Sequence, residues 1–161
     1  MIASINAIDI IVIALVAVIL LLLVYIVAAV NGFKRLLIKI ASADDKVEEC
    51  LKRRYELLTK VKDFVPFDAV DFDKNMTIDQ KIIVNRKLNE ISANVLNSDK
   101  FKSINDFGNI IDGLKESERQ LQSAIDDYNL IVDKFNHRLT LFPSKVIANI
   151  INLKPVKVFE S

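Results

Sequence analysis

The chain opens with a continuous run of apolar positions and then changes to an amphipathic pattern. From Ile10 to Val30 every residue is apolar: five Ile, five Leu, six Val, four Ala and Tyr25. A helix of these 21 residues spans roughly 31 Å, which matches the ~30 Å hydrocarbon core of a bilayer. The run therefore predicts a transmembrane helix over residues 10–30 that contacts the lipid bilayer, with Tyr25 near one interface.

A cleavable signal peptide is the alternative interpretation of this run. Signal peptides combine a basic leading region with a short apolar core. Here Asp9 precedes the core, and the core is longer than a signal peptide needs. Residues 27–29 read Val-Ala-Ala and form a weak cleavage motif, so removal stays open beside the favoured membrane anchor.

Basic residues are placed asymmetrically around the apolar run. Lys34, Arg35 and Lys39 follow it closely, and no basic side chain precedes it. The positive-inside rule places residues 34–161 in the cytoplasm and leaves residues 1–9 as a short external N-terminus. The predicted localisation is a single-pass membrane protein with a cytoplasmic C-terminal domain.

Beyond residue 33 the apolar positions recur in steps of three and four, which is typical of amphipathic helices. Helices are predicted at about 34–65, 77–97, 103–142 and 144–152, bounded by Pro66, a Thr77–Gln80 capping box, Pro143 and a Ser144 cap. The predicted fold class is all-α: an N-terminal transmembrane helix that continues into an antiparallel three- to four-helix bundle.

Each long helix has a predicted buried seam. The first reads Ile40, Ala43, Val47, Cys50, Arg54, Leu57, Val61 and Phe64. The second reads Ile78, Val84, Leu88, Ile91 and Val95. The third reads Ile104, Phe107, Ile111, Leu114, Glu118, Leu121, Ile125, Tyr128, Val132, Phe135, Leu139 and Phe142. These heptad-like seams suit packing within one chain and between chains equally, so the oligomeric state stays open.

The third predicted helix is the longest, so in an up-down-up path residues 126–142 extend beyond the other helices. The fourth helix and the apolar residues Phe67, Val70 and Phe72 are the expected covers for this overhang. An uncovered face would be an exposed patch and hence a partner site. Its candidate residues are Tyr128, Asn129, Phe135 and Asn136. For the two asparagines a solvated position is the plain interpretation, and side-chain bonds to the fourth helix are the alternative.

Two charged residues interrupt otherwise apolar seams. Arg54 and Glu118 fall at a similar level in the up-down-up arrangement, so they form a candidate structural ion pair that fixes the register of two helices. The alternative is that both side chains extend to a wet edge while their aliphatic stems pack on the seam.

Charge and composition exclude several classes of function. Without Asp9 the remaining chain has 22 basic and 20 acidic residues (21 less one), with the signs interleaved. No basic field is available for nucleic acid. A single Cys50 and a single His137 form neither a disulfide nor a metal site. The acidic stretch from Asp71 lacks the glycine and the glutamate of a calcium loop. No nucleophile–base pair or glycine-rich phosphate loop is present, so we expect no enzyme activity and no cofactor.

Several short motifs together resemble the LemA family of bacterial membrane proteins. After one N-terminal membrane helix, residues 51–58 read LKRRYELL, and Glu118 stands on the third helix. Paired aromatic–Asn steps follow at 128–129 and 135–136, then a Phe-Pro stop, Ile147-Ala148 and a late Phe-Glu pair. The resemblance implies a helical bundle facing the cytoplasm behind a short external N-terminus. The family carries no established molecular activity.

These features favour a membrane-anchored, non-enzymatic interaction or scaffold protein that binds an unknown protein partner or itself. The rival hypothesis is a membrane-active or lipid-binding protein. It would insert the fourth helix into lipid, with Lys145, Lys154 and Lys157 near the apolar side of that helix.

Overall fold

A computed structural model of the chain describes residues 6–63, 66–73, 76–98 and 107–160. These residues form four α-helices and no strand: α1 (Ala7–Thr59), α2 (Ile78–Asn97), α3 (Phe107–Thr140) and α4 (Ser144–Ile150). The all-α prediction and the long apolar N-terminal helix are confirmed. Phe64, Ile104 and the predicted start of the third helix at residue 103 lie outside the described residues.

Helix boundaries differ from the predicted ones where local hydrogen bonding changes. Helix α1 ends at Thr59 rather than near residue 65, because the amides of Val61 and Lys62 donate to carbonyls only three residues earlier, at 3.1 and 3.2 Å. Such short-range bonds tighten the last turn and end the α-helix. At the start of α2 the capping box is present, with bonds between Thr77 and Gln80 in both directions.

The cap of α4 is not the one that the sequence predicted. Pro143 occupies the N-cap position and makes no side-chain hydrogen bond, whereas Ser144 is the first residue of the helix. The Ser144 side chain is buried, and its hydroxyl lies 3.2 Å from the hydroxyl of Tyr25. Ser144 therefore serves a tertiary contact instead of capping.

The chain divides into two compact units. The first contains the chain up to Leu37 together with Phe135–Pro155, and the second contains Ile38–Lys134 and the residues from Val156 onward. Helices α1 and α3 each contribute residues to both units. The first unit thus joins segments that are far apart in the sequence.

Within the second unit α1 and α2 run in the same direction, which differs from the predicted up-down-up order. The Lys81 amine lies 2.8 Å from Asp44, and Arg54 donates to Asn89 at 2.6 Å, so contacts advance together along both helices. Helix α3 runs opposite to α1: Lys46 lies 3.6 Å from an Asp127 carboxylate oxygen, and Arg53 donates to Gln120 at 3.2 Å.

The parallel order of α1 and α2 follows from the length of their connection. Bundle connections usually take about 2–8 residues, but the helices here are separated by residues 60–77. A chain of this length, at about 3.3 Å per extended residue, is long enough to return along a helix. Within it Phe67 and Phe72 pack on Tyr55, with ring centroids 6.4 and 5.3 Å apart, and Val70 is buried. The sequence analysis expected Phe67, Val70 and Phe72 to cover residues 126–142. In the structure they pack in the connection between α1 and α2, which we call the return segment.

Most of the predicted seam residues are buried, with local differences. On α1 the predicted Ile40, Ala43, Val47 and Arg54 are buried, Leu51 and Leu58 are buried in addition, and the predicted Cys50 and Leu57 are half-buried. The reason is that α1 packs on two neighbours, so Leu57 lies beside Gly113 of α3. On α2 the buried set is Lys81, Val84, Asn85, Leu88, Ser92 and Val95. On α3 it is Leu114, Ser117, Leu121, Ala124, Ile125, Tyr128, Val132 and Phe135.

Candidate functional site

The apolar run of α1 is exposed except at its end, where Ala29 is buried and Val30 is half-buried. Every residue from Ile10 to Val27 presents its side chain outward, and this part of the helix has a mean hydropathy of 3.6 with none of it buried. Among the described residues, α1 alone has a helix segment long and apolar enough to cross a bilayer. Because large contiguous apolar surfaces are rare on soluble monomers, this exposure fits a membrane anchor near the N-terminus.

One face of α1 carries the contacts that hold the first unit together. The Phe33 ring meets the Phe135 ring edge-on with centroids 5.9 Å apart, and the Arg138 guanidinium lies over Phe33 at 5.0 Å. Glycine at position 32 leaves the space that the Arg138 guanidinium occupies. Two turns earlier the Tyr25 hydroxyl meets that of Ser144. This face thus binds the end of α3 and the beginning of α4.

The end of α3 and the beginning of α4 form a corner of the first unit. The outer side of this corner is apolar and exposed. Phe142 is 84% exposed and Ile150 is 76% exposed, and Val146 is exposed midway between them. Because four residues make about one helical turn, the i, i+4 positions of Val146 and Ile150 lie on one face of α4. The opposite side of α4 buries Ser144, Ile147 and Ala148.

Arg54 is the buried charge that the sequence placed on the α1 seam. Its residue surface is 2% exposed, and its best hydrogen bond is the 2.6 Å bond to Asn89. Glu118 lies 3.8 Å away with its side chain 63% exposed, so it contributes charge but not a hydrogen bond of normal length. Burial lowers the pKa of Arg54, and the Glu118 carboxylate opposes this shift. The Arg54 Nε atom is buried without a partner.

Lys81 forms a second buried cation, which the sequence analysis missed. Its residue surface is 1% exposed, and its amine lies 2.8 Å from Asp44 and 3.1 Å from Glu48. Hydrogen bonds from Lys52 and then Lys81 lower the pKa of Glu48. The spacing of these residues could have predicted the contact. Lys81 stands three residues before Val84 on the apolar face of α2, and the carboxylates of Asp44 and Glu48 stand four residues apart on α1.

The C-terminal segment, residues 156–160, covers the middle of α3. Asn129 donates to the Phe159 carbonyl at 2.9 Å and accepts from the Phe159 amide at 2.7 Å. The Tyr128 hydroxyl donates to the Lys157 carbonyl at 3.0 Å, and the Lys157 amine pairs with Asp79. Phe159 is buried. The sequence analysis did not predict that this segment packs on α3, because five residues without a helical period give no pattern signal.

The four candidate partner residues do not present one exposed surface. Tyr128 and Phe135 are buried, whereas Asn129 and Asn136 are half-buried. The first two of the four belong to the second unit and the last two to the first unit. Asn129 is bonded to the C-terminal segment rather than to α4. Phe135 packs on Phe33. In the structure Tyr128 and Phe135 are therefore packing residues, while Asn129 and Asn136 remain partly accessible.

An open groove lies on the second unit. It is lined by Lys39, Ser42, Ala43, Lys46, Asp127, Leu130 and Ile131, from α1 and α3. Leu130 is 54% exposed and faces solvent next to the buried Tyr128. An exposed apolar side chain with a polar rim is typical of a protein-binding surface.

Reactive side chains in the described part of the chain do not assemble into a recognisable catalytic group. Burial raises the pKa of the Cys50 thiol, and Glu49 adds to the shift, so the thiolate is disfavoured. The groove beside Cys50 is lined mainly by charged and polar side chains. Among the described residues, His, Cys, Asp and Glu form no group of three or more that could hold a metal ion.

Comparison with known proteins gives one match. The model of the LemA family matches residues 68–161, which is more than half of the chain. The match includes α2, α3, α4 and the C-terminal segment, and it does not include α1. No curated protein and no solved structure matches the chain significantly.

Proposed function

The chain belongs to the LemA family, and from this premise we propose that it is a membrane-anchored, non-enzymatic interaction module. One observation carries the proposal: a single uninterrupted helix, Ala7–Thr59, is exposed and apolar in its first part and packed into the second unit in its last part. An anchor and a packed helical unit on one helix suit a protein that holds a partner at a membrane.

We place the second unit on the cytoplasmic side. Lys34, Arg35 and Lys39 are exposed just after the apolar run, and basic residues at this position favour cytoplasmic retention. A fluorescent reporter that folds only in the cytoplasm, fused after Ser161, tests this orientation. We expect fluorescence from this fusion and none when the reporter precedes Met1. The opposite result would reverse the orientation.

The groove around Leu130 is the proposed partner site of the second unit. Its apolar part comes from Ala43, Leu130 and Ile131, and Lys46 and Asp127 supply charges of both signs at the rim. This composition suits a protein surface with an apolar centre and a mixed-charge border. Self-association through the same groove is one outcome of the test below.

Photocrosslinking in living cells tests the site. A photoreactive residue is placed at Leu130 in the full-length chain and, as a matched control, at the exposed Asn94 of α2. We expect one dominant crosslinked species from position 130 that is absent from position 94. Crosslinks to a second copy of the chain would identify self-association, and equal labelling from both positions would contradict the proposed site.

The lipid-binding rival relies on α4 with its lysines. Lys145 and Lys154 are exposed, but Lys157 pairs with Asp79 in the second unit. Flotation of a 141–155 peptide with anionic liposomes discriminates the two hypotheses. The interaction-module proposal expects the free peptide to remain unbound, because seven helical residues that are not held beside the α1 anchor bury too little apolar area for stable binding. Strong flotation would favour the rival.

A further inference from the structure

We infer that the chain contacts the bilayer at a second place: the corner formed by Leu141, Phe142 and α4 inserts its exposed apolar side chains among the lipid acyl chains next to α1. This inference rests on the proposed anchor and deepens it, because it names lipid as the occupant of a surface that the anchor alone does not use. All the contacts that support it lie within the first unit.

The corner is fixed at a defined level of the apolar run. Ser144, at the start of α4, meets α1 at Tyr25, and Tyr25 is five residues before Val30. At a rise of 1.5 Å per residue this level lies about 8 Å inside the apolar run. The contact of α4 with α1 is therefore made along a part of α1 that is surrounded by lipid if the anchor spans the bilayer.

The end of α3 shows where the polar boundary lies. Arg138 is stacked over Phe33, which follows the apolar run, so a cation stands at the polar edge. Phe142 follows four residues later, beyond the end of α3 at Thr140, and the contacts of Phe135 with Phe33 and of Ser144 with Tyr25 show that the chain proceeds toward the apolar run. A long cationic side chain at an interface followed by an aromatic residue is typical of membrane-surface segments.

The exposed side chains at this corner are apolar and therefore suit the acyl-chain region of a bilayer. Phe142, Val146 and Ile150 are exposed, and Leu141 and Ile151 widen the patch. The Ser144–Tyr25 contact joins this corner to the exposed apolar run of α1 within the same unit. That connection favours lipid over a protein partner, because a protein would have to cover the corner while the adjoining α1 surface remains in the bilayer.

Backbone amides of the corner are hydrogen-bonded within the segment, as a medium with little water requires. The amides of Lys145 and Val146 donate to Leu141 and Pro143 at 2.8 and 3.1 Å, and the amide of Leu153 donates to Ala148 at 2.9 Å. Backbone groups that enter the apolar layer need such internal partners. Lys145 is exposed beside the patch and has a side chain long enough to reach the headgroups.

Single tryptophans test the inference directly, because the natural chain contains none. The full-length variants Phe142→Trp and Ile150→Trp are reconstituted in phosphatidylcholine vesicles with or without brominated acyl chains. Leu15→Trp reports the anchor, and Ile83→Trp, an exposed apolar position on α2, reports water. All four positions are exposed, so the substitutions leave the packing intact, and circular dichroism checks the helix content.

We expect brominated lipid to quench positions 15, 142 and 150 and water-soluble acrylamide to quench position 83. If position 15 is quenched by lipid while 142 and 150 are quenched by acrylamide, the second contact is overturned and the anchor stands. If position 15 itself is quenched by acrylamide, the proposed anchor fails and the inference falls with it.

Discussion

Arg54 shows how a buried cation is held with little help from an opposite charge. Its guanidinium is closest to the amide oxygen of Asn89, and the Glu118 carboxylate stays mostly in solvent. A partly exposed ion pair of this geometry typically contributes under about 1 kcal/mol. Leaving a buried donor unsatisfied costs about 1–3 kcal/mol. The neutral hydrogen bond is therefore expected to matter more than the ion pair.

This ranking gives a prediction for two variants. Asn89→Ala should lower the free energy of unfolding by about 1–3 kcal/mol, because it removes the partner of a buried donor. Glu118→Gln should lower it by less than about 1 kcal/mol. Thermal unfolding of the full-length protein in detergent, followed by circular dichroism, measures both, and Asn94→Ala on the same helix is the control. A larger effect at Glu118 than at Asn89 would contradict the assignment.

Tyr128 predicts a pH dependence with a defined sign. Burial, with a smaller effect of Asp44, raises the pKa of Tyr128 to about 12 from 10.0. The folded state therefore holds its phenol proton through a range in which the unfolded state loses it. Stability is present below pH 10 and falls as the pH rises toward 12.

The matched variant is Tyr128→Phe, which cannot titrate. At pH 9 we expect it to be about 1 kcal/mol less stable than the natural chain, because the bond to the Lys157 carbonyl is lost. Between pH 10 and 12 this difference should narrow as the natural chain loses stability. Denaturant unfolding at several pH values measures it, and a difference that stays constant from pH 9 to 12 would rule out the raised pKa.

Sequence reasoning at this scale found Arg54 but not its main partner. An arginine in an apolar seam is visible from spacing alone, whereas Asn89 lies at an exposed position of α2 and breaks no pattern. Glu118 was placed on the α3 seam, but Ser117 is buried there instead, with its hydroxyl bonded to the Leu114 carbonyl at 2.7 Å. Heptad spacing alone does not choose between such neighbouring positions.

At the scale of elements, the C-terminal segment depends on one side chain. Asn129 bonds both backbone groups of Phe159 and so imitates the pairing of a neighbouring strand. Asn129→Ala should therefore release the segment and cost about 2 kcal/mol, at about 1 kcal/mol for each hydrogen bond. Hydrogen exchange of the Phe159 amide is the direct measurement, and we expect faster exchange.

Gln122→Ala is the control for this change, because Gln122 is an exposed amide on the same helix whose side chain bonds to Asp126 one turn away. It should change stability by less than about 0.5 kcal/mol. Unchanged protection of Phe159 in the Asn129 variant would show that burial of the Phe159 ring alone holds the segment.

Helix existence was predictable, but helix direction was not. The 3-4 spacing and the Thr77 cap specify that helices form, because both are local signals. The parallel order of α1 and α2 depends on a return segment whose residues carry no period, and it becomes visible only through pairs such as Asp44 with Lys81. The packing of the C-terminal segment on α3 was not predicted for the same reason, because that segment also has no helical period.

At the scale of the whole molecule, the apolar run predicts a dependence on inserted charge. A single arginine at the centre of a membrane helix costs about 2.5–3.5 kcal/mol of insertion free energy. The double variant Leu15→Arg/Leu20→Arg should therefore move the protein from the membrane fraction to the soluble or aggregated fraction. Carbonate extraction measures this, and Leu15→Ile/Leu20→Ile is the control. Full membrane retention of the arginine variant would contradict the anchor.

The contact between Tyr25 and Ser144 joins residues 119 positions apart, and this separation orders events during synthesis. At about 5–20 residues per second, Ser144 is made roughly 6–24 s after Tyr25. An apolar run that inserts as it emerges would stand in the bilayer throughout that interval with its binding face for α3 and α4 unoccupied. The unit that begins synthesis first is thus completed only after residues 38–134 of the second unit have been made, and with the proposed anchor in place its final assembly takes place at the membrane.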